Sequence, residues 1–156
     1  MIYAVIDTNV LVSALLTSNM DAATVKVVEA LMNGQIVPLF DKDIIKEYAE
    51  VLKRPKFNFS ESVVDYYIRA IMDKGLASSR VLSKENFPDP KDVVFYEVAL
   101  SKEGSFLVTG NKKHFPISPI VVSPAEMMEI IGKIQKLKFL KLMNYKQKQK
   151  KHLLWP

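Results

Sequence analysis

The stretch Ile2-Tyr3-Ala4-Val5-Ile6-Asp7-Thr8-Asn9-Val10 joins an apolar run directly to an acid and two small polar residues. The run is short and aliphatic, with no polar alternation, which predicts a central strand that is buried on both faces. An ionised carboxylate at the end of such a strand is costly unless positive charge lies against it. Because no lysine or arginine lies near Asp7 in the sequence, we expect a bound cation there.

Length and composition predict a single globular domain. The 156 residues are enough for a substantial core, and 49% hydrophobic and 25% charged residues are ordinary values for a soluble protein. The absence of cysteine excludes disulfides, zinc–thiolate sites and cysteine nucleophiles, and it suits a reducing compartment. There is no basic leader, and no uncharged stretch reaches the roughly 18 residues that a membrane span needs, so we expect a cytoplasmic protein that does not contact a membrane.

Charge is distributed unevenly along the chain. The net charge is +5, yet eight lysines and no acid lie between residues 132 and 156, and subtracting them leaves −3 on residues 1–131. We therefore divide the chain into a domain of residues 1–131 and a lysine-rich C-terminal extension of residues 132–156. Two interpretations of the extension stay open: it attracts RNA non-specifically, or it is a solvated segment without a task.

Apolar runs alternate with helical patterns, which predicts an α/β fold with a largely parallel sheet. Ser123 and Glu126 form a capping box for the last predicted helix, and Gly132 is expected to end it. The predicted strands are 2–6, 36–40, 105–109 and 120–122, with a weak strand at 79–82, and the predicted helices are 7–16, 22–33, 41–54, 60–75, 93–102 and 124–131.

Four acids that are far apart in sequence are predicted to share one edge of the sheet. Asp7 ends the first strand, and Glu47 lies one to two turns into the helix that follows the second strand. Asp89 and Asp92 begin a helix that runs antiparallel to the next strand, so they lie at the edge where that strand ends. Ligands of parallel sheets collect at this edge, and carboxylate oxygens suit Mg²⁺ or Mn²⁺, which can activate water and neutralise a phosphodiester.

Each of these residues also has a purely structural interpretation. Asp7 could cap the following helix, and Glu47 could be a solvated helix residue. Asp89 precedes a proline, as an N-cap often does, and Asp92 would then favour the helix dipole. Asn111 could be a turn residue after a glycine. The functional interpretation depends on the shared edge.

Taken in order, the residues resemble the PIN-domain nucleases, and the resemblance covers residues 1–131. The segments 7–12 and 109–116 are similar in particular to a prokaryotic branch of toxin components of toxin–antitoxin pairs. The matching residues are Asp7-Thr8-Asn9, Glu47, Asp89-Pro90-Lys91-Asp92 and Thr109-Gly110-Asn111.

The resemblance implies a Mg²⁺- or Mn²⁺-dependent endoribonuclease on a three-layer α/β/α Rossmann-like domain. Its catalytic metal ligands would be Asp7, Glu47 and Asp92, with Asp89 competing for the third place. Many members have an aspartate where this chain has Asn111, which offers an oxygen but no charge, and this argues against a fully occupied second metal site. Hydrogen-bonding residues behind the ligands would be Thr8, Asn9, Thr109 and Asn111.

The resemblance also implies partners. RNA would be the substrate, an antitoxin protein would bind the chain, and the chain could form a homodimer. Lys112, Lys113 and His114 lie beside the predicted edge and would contact RNA phosphates, or else form a solvated loop.

Two other functions stay open. A phosphohydrolase with Asp7 as nucleophile would normally need a second aspartate two residues later, where this chain has Asn9. A catalytically weakened PIN-like domain that binds RNA or protein is suggested by Asn111 and by the lysine-rich extension.

Overall fold

The computed structural model describes residues 1–153, and the last three residues of the predicted extension, 154–156, lie outside the described residues. Five parallel strands form a sheet in the order β3-β2-β1-β4-β5, with helices packed around it. The predicted α/β fold with a mostly parallel sheet is confirmed. The strands are β1 Ile2–Ile6, β2 Ile36–Phe40, β3 Leu76–Ala77, β4 Phe106–Val108 and β5 Val121–Val122.

Three of the six α-helices within residues 1–153 begin where a side chain accepts a hydrogen bond from a free backbone N–H group. Asp41 Oδ1 accepts from the backbone N of Ile44 at 2.9 Å, and Ser60 Oγ accepts from the backbone N of Val63 at 3.3 Å. The helices are α1 Thr8–Leu16, α2 Ala23–Met32, α3 Lys42–Leu52, α4 Glu61–Lys74, α5 Val93–Leu100 and α6 Pro124–Leu153, with 3₁₀ turns at Pro55–Phe57, Pro90–Asp92 and Lys112–His114.

The central strand β1 is buried, as its unbroken apolar run predicts. Ala4, Val5 and Ile6 are each at most 1% exposed. Tyr48 of α3 and Phe95 of α5 pack against each other with ring centroids 6.3 Å apart, and both are buried in the same core. The end of β1, where Asp7 follows, is therefore held in a packed environment rather than in a mobile loop.

The third strand is not where the sequence pattern suggested. The prediction of a strand at 79–82 is wrong: pairing occurs earlier, with Leu76 and Ala77 beside the end of β2. Gly75 explains the shift, since a Cβ at this position would clash with the carbonyl oxygens of Pro38 and Ile71. The chain thus passes very close to β2 as soon as α4 ends, and it pairs there.

The last helix is much longer than expected. The expectation that it ends near Ile131 is wrong, because α6 continues through Gly132 to Leu153. A glycine inside a helix costs only about 1 kcal/mol relative to alanine, and the lysines, leucines and glutamines around it are good helix formers. Across residues 1–153, no helix is both long enough and apolar enough to cross a membrane.

Candidate active site

Asp7 lies at the carboxyl end of β1, where it is the N-cap residue of α1. Its side chain is only 7% exposed and makes no capping hydrogen bond, so capping does not account for its position. Thr109 Oγ1, just beyond β4, donates to Asp7 Oδ2 at 2.7 Å. The backbone N of Asp7 donates to the oxygen of Val108 at 2.9 Å. The carboxylate is therefore fixed between the ends of two neighbouring strands.

Glu47 reaches the same edge from α3. Thr8 Oγ1 donates to Glu47 Oε2, which joins the first turn of α1 to the glutamate. The next residue, Tyr48, is fully buried, and its hydroxyl donates to the carbonyl oxygen of Ile6. These two bonds hold α3 against the end of β1, so Glu47 lies close enough for its charge to raise the pKa of Asp7.

The third part of the site is the turn that leads into α5. Asp89 caps this turn, since its Oδ1 accepts from the backbone N of Lys91 at 2.9 Å. Asp92 Oδ2 is buried, and its one close polar neighbour among the described residues is Nδ1 of His114 at 3.3 Å, which lowers the pKa of Asp92 against the effect of burial. A buried carboxylate oxygen with so few partners is unusual, and it indicates that this position suits a further positively charged partner.

The carboxyl groups of the site raise one another's pKa. Burial raises the pKa of Asp7 to about 6, against the hydrogen bond from Thr109, and the charges of Asp92 and Glu47 raise it further. Burial also raises the pKa of Glu47 and of Asp92, with added repulsion from Asp92 on Glu47 and from Asp89 on Asp92. We call Asp7, Glu47, Asp89 and Asp92 the acid cluster, because each of them either raises the pKa of another member or has its own pKa raised by one.

The acid cluster fits a hard divalent cation in its chemistry. Such an ion would relieve the repulsion among the carboxylates and the burial of Asp92 Oδ2, and carboxylates are the ligands that Mg²⁺ and Mn²⁺ prefer. Within residues 1–153, however, no group of three or more histidine, aspartate or glutamate side chains is arranged to hold a metal ion. The donor set is suitable, whereas a closed ligand shell is not preformed.

Polar residues behind the acid cluster connect the loops that follow β1 and β4. Asn9 Oδ1 accepts from the backbone N of Gly110 at 3.2 Å, and the backbone N of Asn111 donates to Thr109 Oγ1 at 3.0 Å. Thr109 therefore accepts one hydrogen bond from its own loop and donates one to Asp7. This arrangement fixes the orientation of the Asp7 carboxylate.

The three basic residues that follow Asn111 have different surroundings. Lys112 Nζ donates to both carboxylate oxygens of Glu126, each at 3.1 Å, so its charge is paired with an acid in the first turn of α6. Lys113 is exposed, and His114 is half-exposed beside Asp92. Only Lys113 and His114 thus keep a side chain available beside the acid cluster.

An ion pair that the sequence analysis missed lies behind the cluster. Glu97 of α5 is 3% exposed, and its Oε1 lies 3.1 Å from Arg80 Nη2. Arg80 also reaches Asp43 of α3 at 3.4 Å, and the backbone N of Val81 donates to the oxygen of Glu97 at 3.0 Å. The sequence does carry a signal for this pair, because Glu97 is the single charge inside the apolar run Val93–Leu100. A charge that is buried in this way needs a partner of opposite charge.

A cleft of about 310 Å³ adjoins Glu47. It lies between α3 and the turn at Pro90–Asp92, and it combines acidic with basic walls. Its basic side chains are Lys46, Arg54, Arg80 and Lys91. Positive charge is therefore available for an anionic ligand directly beside the acid cluster.

The raised pKa of Asp7 predicts how stability depends on pH. The folded pKa of about 6 lies above the ordinary value of 3.8, so the folded state binds more protons between these values. The free energy of unfolding of the metal-free protein should therefore fall as pH rises through this range, by about 3 kcal/mol for this group. Glu47 and Asp92 act in the same direction. Urea unfolding in EDTA at a series of pH values measures this fall in the free energy of unfolding. If Asp7→Asn showed the same pH dependence as wild type, the assignment of the fall to Asp7 would be contradicted.

Comparison with known protein families gave one match. A family model described as "PIN domain" matches residues 3–113, a range that contains the acid cluster, Thr109 and Asn111. Comparisons with curated proteins and with solved structures gave no match.

Proposed function

Since the chain belongs to the PIN-domain family, whose members are generally nucleases, we propose that it is a Mg²⁺- or Mn²⁺-dependent endoribonuclease. The observation that supports this most is that Asp7, Glu47 and Asp92 have pKa values raised first by burial and then by neighbouring acidic charges, with Asp7 fixed at the carboxyl end of β1 by Thr109. Buried carboxylates that raise one another's pKa destabilise a fold, and they are typical of functional sites.

The roles of the acid cluster follow from its contacts. Asp7, Glu47 and Asp92 would hold the cation, and Asp89 adds negative charge beside them. When bound, the cation would lower the pKa of the attacking water and neutralise charge on the phosphodiester. Thr109 and Thr8 donate hydrogen bonds to Asp7 and Glu47, and they keep these carboxylates ionised and oriented.

The basic side chains around the cluster would orient the RNA. Lys46, Arg54 and Lys91 line the cleft beside Glu47, and Lys113 is exposed in the 3₁₀ turn Lys112–His114, next to His114. Contacts of this kind position the phosphate backbone without reading its sequence. His114 beside Asp92 would contact a phosphate as well as the carboxylate.

A test of this proposal compares Glu47 with an exposed glutamate of another helix. Cleavage of a mixed RNA substrate should require Mn²⁺ or Mg²⁺ and stop in EDTA. Glu47→Gln should lower the rate by about 10–100-fold, because the amide keeps one oxygen but loses the charge that favours the cation. Glu29→Gln, at an exposed position of α2 that does not line the cleft beside Glu47, should cleave at the wild-type rate.

Failure would be equally informative. Metal-independent cleavage, or equal rates in Glu47→Gln and wild type, would contradict the assignment of the cluster. If the folded wild type cuts no RNA, the chain is a binding domain weakened at Asn111, and Asn111→Asp becomes the variant to measure.

We further propose that the nuclease is the toxin of a toxin–antitoxin pair and acts in the cytoplasm. The support is the resemblance of segments 7–12 and 109–116 to such toxins, together with the absence of cysteine. An antitoxin would bind the chain, and a homodimer is the form we propose for the free toxin. Induced expression should slow bacterial growth, and Glu47→Gln should largely restore it; unimpaired growth with active wild-type enzyme would contradict the toxin role.

A further inference from the structure

The second part of α6 extends beyond the packed core. Residues 133–153, which we call the lysine helix, carry eight lysines and no acid. Ile134 packs against the core, whereas every residue from Gln135 to Leu153 is exposed, including the large apolar residues Leu137, Phe139, Leu140 and Tyr145. The helical form of this exposed part depends on the propensity of its residues rather than on tertiary packing.

The lysine helix points away from the acid cluster. Helix α6 begins at the carboxyl edge of the sheet, where Glu126 binds Lys112. It reaches the opposite edge near Ile134 and Lys138, which share a cleft with Met1 and Gln35 at the starts of β1 and β2. At about 1.5 Å per residue, Lys151 lies about 38 Å along the helix from Glu126. Its four outermost lysines are therefore too far away to contact a phosphodiester that is being cut.

The charge pattern of the lysine helix favours an anionic partner. Lys133 and Lys136 are three residues apart and Lys146 and Lys150 are four apart, spacings at which like charges repel on a helix. No acid between residues 132 and 153 offsets this repulsion. A polyanion would remove it, and counterions released from the polyanion would add to the affinity.

The apolar residues argue against two other partners. They are spread around the helix and form no continuous stripe, whereas a helix lying on a membrane needs one apolar face and a coiled coil needs a repeating seam. Lysines that face all directions suit a flexible polymer that can wrap the helix. Phe139 and Tyr145 offer rings on which bases can stack.

We propose that the lysine helix is a second RNA-binding element, whose outermost lysines hold long RNA at a point about 38 Å along the helix from Glu126. The proposal rests on the proposed ribonuclease function. One strand of a duplex rises about 3.4 Å per nucleotide and needs about 11 nucleotides to span this distance, and an extended single strand needs fewer. The helix should therefore increase the affinity for long RNA and leave short oligonucleotides unaffected.

The experiment neutralises the four outermost lysines in an Asp7→Asn background, in EDTA, so that binding is measured without cleavage. A matched control variant replaces four exposed lysines of the domain, away from the acid cluster. The first variant carries Lys146→Gln, Lys148→Gln, Lys150→Gln and Lys151→Gln, and the control carries Lys42→Gln, Lys56→Gln, Lys74→Gln and Lys84→Gln. The ligands are labelled single-stranded RNAs of about 6 and about 40 nucleotides, below and above the required span.

We expect the salt dependence of long-RNA binding, log Kd against log salt concentration, to lose about 3 units of slope in the lysine-helix variant and to stay unchanged in the control. The short RNA should bind all proteins alike. An unchanged slope, an equal loss with the short RNA, or an equal effect in the control would overturn the proposal. So would a lysine-dependent affinity for anionic vesicles without an effect on RNA.

The proposed ribonuclease function is tested by a separate measurement in this experiment. Metal-dependent cleavage of the short RNA by chains with native Asp7 reports on the acid cluster alone. If that cleavage is absent while the salt slope changes as expected, the ribonuclease proposal fails and the lysine helix remains a polyanion-binding element. If cleavage is present and the slope does not change, the lysine helix has no part in binding RNA.

Discussion

Asp7→Asn should abolish RNA cleavage while making the metal-free protein more stable. The asparagine removes the charge that would hold the cation, and losing one such preorganised group lowers rates by about 100–1000-fold. It also removes a buried carboxylate whose pKa is about 6, and its oxygen can still accept from Thr109. We expect the free energy of unfolding at neutral pH in EDTA to rise by about 1–3 kcal/mol.

Two measurements on the same protein check this prediction. Initial cleavage rates in Mn²⁺ give the activity, and thermal unfolding in EDTA gives the stability, with about 2–4 °C in Tm for each kcal/mol at this chain length. Asp73→Asn, at an exposed position near the end of α4, is the matched control and should change neither. A loss of activity accompanied by a lower Tm would mean that Asp7 acts through the fold, and full activity would remove it from the site.

Arg80→Met should cause the largest loss of stability among the ion-pair residues. The substitution keeps an apolar stem and leaves Glu97 buried without its cation, and one oxygen of Glu97 already has no partner. Removing one member of a buried pair costs about 3 kcal/mol or more. We expect the loss in the free energy of unfolding to lie at the lower end, about 3 kcal/mol, because the Arg80 side chain is 35% exposed and water partly screens its charge. This corresponds to a fall in Tm of about 6–12 °C.

Two comparisons test whether the burial of Glu97 causes this loss of stability. One is a double variant, and the other is a variant of an exposed ion pair of similar length. Arg80→Met with Glu97→Leu should recover stability to within about 1 kcal/mol of wild type, because a buried pair replaced by apolar residues is often neutral. Lys53→Met breaks a 3.1 Å pair with Asp65 whose side chains are 40% and 44% exposed, and it should lower the Tm much less than Arg80→Met does. An equal cost for Lys53→Met and Arg80→Met would show that burial of Glu97 is not the cause.

The strands and the acids were predictable for the same reason. The apolar run before Asp7 and the run before Thr109 are too short for helices and too apolar for an exposed strand, so both are parallel strands in the core. Once the sheet is parallel, the ends of its strands and the starts of the connecting helices meet at one edge. The grouping of Asp7, Glu47, Asp89 and Asp92 is therefore a consequence of topology, which the sequence pattern reveals.

Three features that the sequence pattern did not predict depend on tertiary contacts or on the balance of helix propensities. Leu76 and Ala77 pair with β2 because Gly75 lets the backbone approach Pro38, and this approach has no local sequence signal beyond the glycine itself. The partner of Glu97 lies 17 residues earlier in the chain, at a position that read as a strand. The continuation of α6 through Gly132 depended on the helix propensity of its neighbours, which outweighs one glycine.

The strand order has a further consequence for how the site can work. Because β1 lies between β2 and β4, the chain leaves β1 toward one side of the sheet and leaves β4 toward the other. Asp7 and Thr109 stand at this topological switch point, and their relative position is set by the sheet itself. Asp89 and Asp92 arrive on the segment between β3 and α5, which is pinned to the helix at Arg80 and Val81. The sheet itself therefore fixes Asp7 and Thr109, whereas the position of Asp89 and Asp92 depends on the contacts of a connecting segment, so substitutions at Arg80 can reach the site through that segment.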